Sequence, residues 1–522
     1  MNHRAPWFVC LLAFLTPMPV AVAREFGEVS LLQTPEGAEW KDVIYADVDG
    51  DGRRDLVLSA WSKAGRSIRV HLQQPEMPRF RSKPDHLLEP VWKDTVAFAV
   101  ADVHEAPGSE VVLFNASGAW AWRPGAPEKE RPRKLFEAAL LWQIPESRDV
   151  IAWQEGTRDV DGDGLPDFVI PEPGQYRIVL QDRSGKTPAF KDAGLCRVRD
   201  VRVQKLRSTD VRKRARQERD RFAIKISMGS DPLGPLLSIT DSVPAPQWAD
   251  FDGDGDLDLL VATERHLLVW LQDKKRIGPA PSFRMALPVV ADRERRLDVS
   301  YSAHVLDLNG DKRTDCVIFS GDKRSEKIRT QVQFFLNGGR GTSEKIPLFG
   351  KEQFPQQLLV LTGLTGDPHF TDVNGDGTPD LVVGKMRPDM LDKLRGSGGD
   401  RIRAELIVFL NKGGRFSKRP DLLYRTAVQA TALRLGRRVI QSRFFADLSG
   451  DGIRELLVRN EEKSLKVLYS RRRGDSWTVL EEPLWSQRVD KRARVIVPTP
   501  TPTEKKDILI LESYQLLHVR FR

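Results

Sequence analysis

The chain is poor in the residues and motifs that mark the common hydrolases. Its 522 residues include only three cysteines and eight histidines. Neither the zinc-protease pattern H-E-x-x-H nor the nucleophile pattern G-x-S-x-G occurs in it. Many of its Asp and Glu residues fall in one repeated loop, and no evident second pair of carboxylates remains for glycoside hydrolysis. These absences favour a non-enzymatic protein.

Long apolar runs are absent beyond the first 23 residues, whereas a membrane-spanning helix needs about 18 consecutive apolar residues. Residues 1–23 combine a basic start at Arg4, a short apolar run over 8–15 and the small residues of 21–23. This order is typical of a secretory signal peptide and its cleavage site. We therefore expect residues 24–522 to be exported, to a periplasmic or extracellular location, without a transmembrane segment.

Cysteine is nearly absent from the mature chain, where only Cys196 and Cys316 remain. Two cysteines so far apart do not form a disulfide framework. We expect two buried thiols.

Acidic charge does not dominate, because the formal net charge is +9. In an exported protein this balance indicates anionic polysaccharides, lipid headgroups or wall polymers as partners before nucleic acid.

One acidic motif is abundant and returns along the whole chain. It first occurs as DVDGDGRRDLVL (47–58). Further copies occur at 159–170, 250–261, 307–318, 372–383 and 447–458, and two degraded copies at 102–113 and 499–510. Each copy runs directly into an apolar strand, and a second short strand ending in a polar turn follows it. Loop, strand, turn and strand therefore recur eight times.

The repeat length predicts the fold. Roughly 60 residues of antiparallel strands correspond to one four-stranded propeller blade. We expect an all-β protein, a β-propeller of eight blades, with seven as the alternative if one degraded copy is not a blade. The segment 25–32 precedes the first loop, and the chain ends on what looks like a third strand, so pairing these two would close the ring and protect its sheet edges.

The copies resemble FG-GAP or VCBS-type repeats, which form the blades of the integrin α-subunit head and of many exported bacterial proteins. The resemblance covers nearly the whole mature chain and rests on the D-x-[DNS]-G-D-x-x-x-[DE] loop. It implies a calcium-loaded β-propeller and does not imply one function.

The loops are candidate Ca²⁺ sites, because alternating acidic residues on a tight turn present several hard oxygens to one point. With Asp47 as position 1, the side chains of positions 1, 3, 5 and 9 and the backbone carbonyl of position 7 would be ligands. In the first copy these residues are Asp47, Asp49, Asp51, Arg53 and Asp55. The side-chain ligands of the other copies are Asp159, Asp161, Asp163 and Asp167; Asp250, Asp252, Asp254 and Asp258; Asp307, Asn309, Asp311 and Asp315; Asp372, Asn374, Asp376 and Asp380; and Asp447, Ser449, Asp451 and Glu455.

We expect up to six structural Ca²⁺ ions, since the ion would offset carboxylate repulsion and couple binding to folding. His104 and Ala106 disrupt the second copy, and the threonines at 499, 501 and 503 disrupt the eighth. An EF-hand is excluded because position 12 is Leu58 and strands flank the loop. The alternative is a set of metal-free turns in which Asp side chains cap their own backbone amides.

A basic insertion lies between the third and fourth loops, at about 196–228. Between Arg197 and Phe222 eleven Lys or Arg face four Asp or Glu, a net of +7. A long hairpin with its tip near 212–219 fits the pattern, as does a short helix through the tip. Its candidate anion-binding residues are Arg212, Lys213, Arg214, Arg216 and Arg219. The alternative is a solvated hairpin without a ligand, and the lack of interleaved aromatic residues disfavours nucleic acid.

These features predict an exported calcium-binding propeller that acts as a non-enzymatic interaction or scaffold module for protein or polysaccharide partners. The alternative is a polysaccharide lyase or hydrolase that uses the central face of the ring.

Overall fold

The structure is a computed structural model of the chain. It describes residues 27–35, 37–127, 132–140, 149–185, 188–198, 221–227, 238–244, 246–263, 266–273, 275–286, 299–322, 329–338, 355–365, 368–386, 401–429, 441–460, 464–473, 476–490, 493–498 and 506–521. The proposed signal peptide and the five candidate anion-binding residues of the insertion lie outside these ranges. Among the described residues, no helix has the length and apolarity that crossing a membrane requires.

The strands form eight antiparallel sheets in chain order, which we number as blades 1 to 8. The strands of blades 1 to 4, from the first to the last, are Glu39–Ala46, Asp55–Ser62, Gly65–His71 and His86–Leu88; Ala97–Ala101, Glu110–Asn115, Gly118–Trp122 and Arg133–Glu137; Thr157–Arg158, Asp167–Glu172, Gln175–Asp182 and Ala189–Arg197; and Gln247–Ala249, Asp258–Ala262, His266–Trp270 and Phe283–Ala286.

The strands of blades 5 to 8 are Val299–Leu306, Asp315–Asp322, Arg329–Phe335 and Gln357–Thr362; His369–Thr371 with Leu364–Thr365, Asp380–Met386, Arg401–Phe409 and Leu422–Gln429; Gln441–Ala446, Glu455–Asn460, Ser464–Arg473 and Ser476–Arg488; and Arg494–Ile496, Asp507–Leu511, Gln515–Phe521 and Gly27–Gln33. Ile151–Ala152 adds a parallel strand to blade 2, Gln272–Asp273 pairs with Arg276–Ile277, and Gln154–Gly156 is a 3-10 turn.

The prediction of an eight-bladed all-β propeller is confirmed, and the seven-bladed alternative is wrong. The degraded copies at 102–113 and 499–510 each belong to a blade, because their apolar strands Glu110–Asn115 and Asp507–Leu511 pair on both sides. The apolar strand therefore survives where the acidic loop before it does not.

The ring closes as the sequence predicted. Strand Gly27–Gln33 pairs antiparallel with Gln515–Phe521, from Gly27 opposite Phe521 to Gln33 opposite Gln515. The N-terminal strand thus supplies the outermost strand of the last blade and covers the edge that the C-terminal strand would otherwise expose.

The core is a series of apolar layers between neighbouring blades. The second strands are buried on both faces, as in Asp55–Leu58 and Glu110–Asn115, which explains why they read as continuous apolar runs. Between blades 2 and 3, the rings of Phe114 and Phe168 meet edge to face with centroids 6.2 Å apart. Each blade therefore depends on its neighbours for burial of its faces.

The two cysteines are free thiols buried in different apolar layers, as predicted. Burial raises the pKa of both Cys196 and Cys316 to about 12, so both remain protonated at neutral pH.

Only part of the basic insertion is described. Strand Arg221–Ser227 pairs with the downstream strand Ser238–Pro244. The predicted hairpin tip at 212–219 lies outside the described residues and stays a prediction.

The loops of adjacent blades touch through their backbones. The amide of Arg454 in blade 7 donates to the carbonyl of Val373 in blade 6 over 2.9 Å, and a Cβ atom on Gly375 would lie 2.2 Å from the carbonyl oxygen of Gly452. Gly377, in the same loop, has the same kind of positive φ, 84° against 74°, but a Cβ there would meet nothing within 4 Å.

This difference predicts unequal costs for two alanine substitutions. Gly377→Ala should cost about 1–2 kcal/mol, the strain of a left-handed residue. Gly375→Ala should add roughly 1–3 kcal/mol, because the new methyl group overpacks against the neighbouring loop. Urea unfolding at one fixed calcium concentration measures both. Equal costs for the two variants would contradict the backbone contact between blades.

Candidate metal-binding loops and axial pocket

The six intact acidic loops lie on one face of the ring. Each loop joins the first strand of its blade to the second, as residues 47–54 join Glu39–Ala46 to Asp55–Ser62. We give each loop the number of its blade. Since the first strands of all blades run in the same direction relative to the axis, the loops emerge together. We call this side the loop face.

Position 1 of each loop organises the turn. The Asp47 carboxylate accepts the amides of Gly50 and Gly52 at 2.7 and 2.8 Å. The same two bonds recur at the other five copies, at Asp159, Asp250, Asp307, Asp372 and Asp447. Gly50 and Gly52 have φ values of 80° and 81°, which only glycine adopts without strain.

Loop 5 keeps this conformation although Lys312 replaces the second glycine. Lys312 has a φ of 66°, and its amide still donates to Asp307 at 2.8 Å. A residue with a Cβ atom fits this backbone conformation less well than glycine. The hydrogen bonds are retained, so the cost is confined to backbone strain of about 1–2 kcal/mol.

Position 9 is a buried carboxylate that joins three parts of its blade. Asp55 is 1% exposed, and its two oxygens accept the amides of Val48, in the loop, and Gln73, after the third strand, both at 2.8 Å. Asp167, Asp258, Asp315 and Asp380 repeat both bonds.

Burial of these carboxylates is electrostatically costly. Burial, followed by the charges of Asp49 and Asp47, raises the pKa of Asp55 to about 6. Burial likewise raises the pKa of Asp258 to about 7. A bound cation would offset the burial and the repulsion that raise these pKa values, so the donor set fits a metal ion.

Three loops bring carboxylate oxygens within 4.8 Å of one another. The converging residues are Asp47, Asp49 and Asp55; Asp159, Asp161 and Asp167; and Asp250, Asp252 and Asp254. These are predicted ligands, and each group can hold a metal ion. In loops 1 and 3 position 5 is not a member of the converging group. Asp51 instead pairs with the Arg53 guanidinium and accepts the Arg53 amide at 2.8 Å. The proposed ligation by the Arg53 carbonyl stays a prediction.

Loops 5 to 7 bring together fewer carboxylates, because position 3 is Asn309, Asn374 or Ser449. The amide groups of Asn309 and Asn374 donate to the position 5 residues Asp311 and Asp376 at 3.0 and 2.8 Å. In their described residues, no three carboxylates converge as in the first three intact loops.

Loop 7 retains a buried oxygen that is available to an ion. Glu455 accepts the amide of Leu448 through Oε2. Its Oε1 is buried and has no hydrogen-bond partner among the described residues. An orphaned carboxylate oxygen is costly to bury, and a cation would satisfy it.

Lys275 contacts loop 3 from a neighbouring blade. Its ammonium group lies 3.1 Å from Asp161 Oδ2, and this contact raises the pKa of Lys275. The sequence offers no indication of this pairing, since the two residues come from different blades. The lysine and a metal ion would compete for the same carboxylate.

The residue after the third strand links neighbouring blades. The amide N–H of Asn337 donates to Asp315 at 2.7 Å, and its side chain donates to the Phe251 carbonyl in the preceding loop at 2.7 Å. Asn411 repeats the interblade bond to the Leu308 carbonyl at 2.7 Å. In the sequence this residue belongs to the polar turn that follows the short strand of each repeat. The recurrence of Asn or Gln at this position is the sequence feature that indicates the contact.

Blade 2 has an ion pair where six other blades have a candidate metal-binding loop. The Arg183 guanidinium of blade 3 lies 2.5 Å from Asp102, the residue at position 1. At position 9, Glu110 is 2% exposed and, within the described part of the chain, accepts only the Val103 amide, at 3.1 Å. Pro124 stands where Asn337 stands in blade 5 and has no N–H to donate. Burial raises the pKa of Glu110 to about 7.

Blade 8 also neutralises its acidic residue without a metal ion. Asp507 accepts Tyr45 Oη at 2.7 Å and Arg520 Nη2 at 2.9 Å, and lies 3.0 Å from His518 Nε2. Burial alone would raise the pKa of Asp507, but the bonds from His518 and Arg520 outweigh it and hold the pKa well below its usual range. The threonines 499, 501 and 503 lie outside the described residues.

A pocket of about 330 Å³ opens on the loop face between blades 1, 6, 7 and 8, and we call it the axial pocket. Cationic Arg54, Arg454 and Lys506 line it together with the carboxylates of Asp372 and Asp447. Its other lining residues include the rings of Tyr45 and Phe445 and the apolar side chains of Val497 and Pro498.

Two histidines precede loops 5 and 6 and have different surroundings. His304 lies 3.3 Å from Ser302 Oγ, but His369 Nε2 is buried with no hydrogen-bond partner among the described residues. Burial and the charge of Arg443 lower the pKa of His369 to about 4, so it is neutral.

Comparisons with known proteins give one family match over part of the chain and matches to solved structures. Residues 307–383, which span loops 5 and 6, match the model of the FG-GAP-like repeat. No curated protein matches the chain. An Agrocybe aegerita lectin that recognises non-reducing terminal N-acetylglucosamine is 15% identical, with a TM-score of 0.36 over 87% of this chain and 94% of the lectin. The V. cholerae biofilm matrix protein Bap1 is 11% identical, with a TM-score of 0.29 over 91% of this chain and 76% of Bap1.

The raised pKa of Glu110 predicts a pH-dependent stability that is independent of metal. A carboxyl group whose pKa is about 7 in the folded state, against an ordinary value of 4.5, contributes stability below pH 4.5 that is lost as the pH rises through 7. Glu110→Gln should remove this loss and be more stable at pH 8 by on the order of 1 kcal/mol, after allowance for solvent screening.

Thermal unfolding between pH 5 and 8 in a chelator measures this effect. Glu105→Gln is the control, because Glu105 is an exposed residue of the same loop. A Glu110→Gln variant that loses stability with pH as steeply as the wild type would refute the assignment.

Proposed function

We propose that this chain, an eight-bladed β-propeller of FG-GAP repeats, is an exported calcium-binding interaction module that binds a polysaccharide or protein partner without catalysing a reaction. The observation that carries the proposal is the placement of six similarly built acidic loops on one face of a closed ring. Such an arrangement stiffens a surface, and the adjoining loops can then present side chains to a partner in fixed positions.

Calcium is the proposed ion because every side-chain ligand is a carboxylate, amide or hydroxyl oxygen. Hard oxygen donors in irregular loops suit Ca²⁺, whereas softer metals prefer nitrogen or sulfur. When bound, the ion supplies positive charge that offsets the repulsion within each loop. Its role is structural, since the position 1 and position 9 carboxylates also hold the loop amides in place.

The hydrogen bonds that the polar groups already make support a non-enzymatic role. Carboxylates that each accept two backbone amides are poorly placed to exchange protons with a substrate. Tyr45, which lines the axial pocket, donates its hydroxyl proton to Asp507 at 2.7 Å and accepts a hydrogen bond from Gln73 at 2.8 Å. A lyase or hydrolase at the central face would need a group with a free proton or lone pair there.

Export is supported by the order of charge and apolarity in residues 1–23. Loops that need calcium also suit compartments in which the ion is abundant, and extracellular calcium modules bind it with Kd values of about 10⁻⁴–10⁻³ M.

Calcium should raise the melting temperature, and a chelator should lower it. At a free calcium concentration 100 times its Kd, each intact site adds about 2.7 kcal/mol to the free energy of unfolding. Asp47→Asn should reduce this calcium-dependent gain, because it removes a predicted ligand of loop 1. Scanning calorimetry with and without chelator measures it.

Asp102→Asn is the matched control, since Asp102 occupies position 1 of the loop in blade 2, where His104 and Ala106 disrupt the motif. It loses an ion pair to Arg183 and should lower the melting temperature equally with and without calcium. A melting temperature unaffected by chelator would remove calcium from the proposal.

Binding without turnover is the expected behaviour of the purified chain. We expect retention on a panel of immobilised polysaccharides or capture of a defined protein partner, weakened by chelator. Soluble polysaccharides incubated with the chain should keep their length in gel filtration. Shortening of the polysaccharides that increases with protein concentration would favour a lyase or hydrolase. Failure to bind any glycan or protein would refute the proposed interaction module.

A further inference from the structure

Three cations around the axial pocket occupy the same position in three successive blades. Arg54, Arg454 and Lys506 each stand at position 8, directly before the acidic residue that begins the second strand of blades 1, 7 and 8. The same position holds uncharged residues in the other five blades, namely Ser109, Pro166, Leu257, Thr314 and Pro379. The cations are therefore confined to the blades that border the pocket.

Contacts with neighbouring residues restrain the two arginines of this set. The Arg454 amide donates to the Val373 carbonyl at 2.9 Å, and its guanidinium lies 3.2 Å from Thr371 Oγ1. The Arg54 guanidinium lies over the Tyr45 ring, 5.8 Å from its centroid. Fixed side chains lose little entropy when they bind a ligand, which favours recognition.

The net charge of the pocket depends on the loops. Its three cations face three carboxylates, Asp372, Asp447 and Asp507. Asp507 is neutralised by its pairing with Arg520. Asp372 and Asp447 are position 1 residues of loops 6 and 7, so an ion bound in each loop would offset their charge. The pocket would then present a net positive charge.

The remaining walls suit a compact ligand with apolar faces. Tyr45 and Phe445 contribute aromatic rings, and Pro498 contributes an apolar edge. Aromatic side chains pack against apolar faces while polar groups fix the orientation of the ligand. The volume of about 330 Å³ lies at the small end of ligand sites, which range over about 300–1,000 Å³.

We infer that the axial pocket binds a uronic acid residue of an acidic saccharide, with its carboxylate on Arg54, Arg454 and Lys506, and that calcium in loops 6 and 7 is required for this binding. The inference rests on the proposed function and names its ligand class and its site. Guanidinium and ammonium groups pair with a carboxylate, and the sugar ring packs against the apolar wall. Calcium acts on affinity through the charge of the pocket and makes no contact with the saccharide.

Calorimetric titration of the full chain with digalacturonate tests the inference. The fully methyl-esterified disaccharide serves as the uncharged probe. In calcium we expect the acid to bind at least tenfold more tightly than the ester. Lys506→Gln and Arg54→Gln should each weaken binding of the acid about tenfold while the melting temperature in calcium shows that the ring is intact. A chelator should weaken wild-type binding of the acid by a similar factor.

Lys412→Gln is the matched control, because it removes one positive charge from an exposed turn outside the pocket. Equal affinities for acid and ester, or equal losses in Lys506→Gln and Lys412→Gln, would overturn the inference. Tight binding of neutral glycans alone would overturn it and leave the interaction module intact. Undiminished binding of the acid in chelator would refute the calcium requirement. Tighter binding of inorganic phosphate than of digalacturonate would assign the site to a phosphate.

Discussion

Repulsion among closely spaced carboxylates is the constraint on which the structure depends. Each intact loop concentrates four oxygen-bearing side chains in nine residues, and a folded chain must offset their charge. Backbone amides offset part of this charge, because they donate to the position 1 carboxylate within the turn and to the position 9 carboxylate between the loop and the third strand. A divalent cation would offset the rest. The structure of the turn and its affinity for an ion therefore have the same origin.

The two loops without the full motif show how else this charge can be offset. In blade 2 the Arg183 guanidinium pairs with Asp102, and Glu110 is left with a raised pKa. In blade 8 Asp507 is satisfied by Tyr45 and Arg520. Blade 8 is also where the ends of the chain meet. Internal ion pairs there offset the buried charge without a metal ion, whereas only the six blades with intact loops would respond to calcium under the proposed function.

Interlocking of neighbouring loops makes the loop face a single surface. Asn337 and Asn411 reach across to the preceding loop, and Gly375 admits the carbonyl of Gly452. A change in one loop therefore strains the next one. The same close packing brings position 8 of three blades around the axis, which places Arg54, Arg454 and Lys506 at one pocket.

The sequence by itself determined the repeat, the closing strand and the residues of the loops, because each depends on local spacing that recurs along the chain. It left seven or eight blades open, and the structure decided for eight because both degraded copies contribute a paired strand. Tertiary structure alone decided which side chains meet across blades. Lys275 on Asp161, Arg183 on Asp102 and the axial cluster each join residues that are distant in sequence. The first two contacts follow from packing successive blades side by side. The axial cluster follows from closing the ring, which brings blade 1 next to blades 7 and 8.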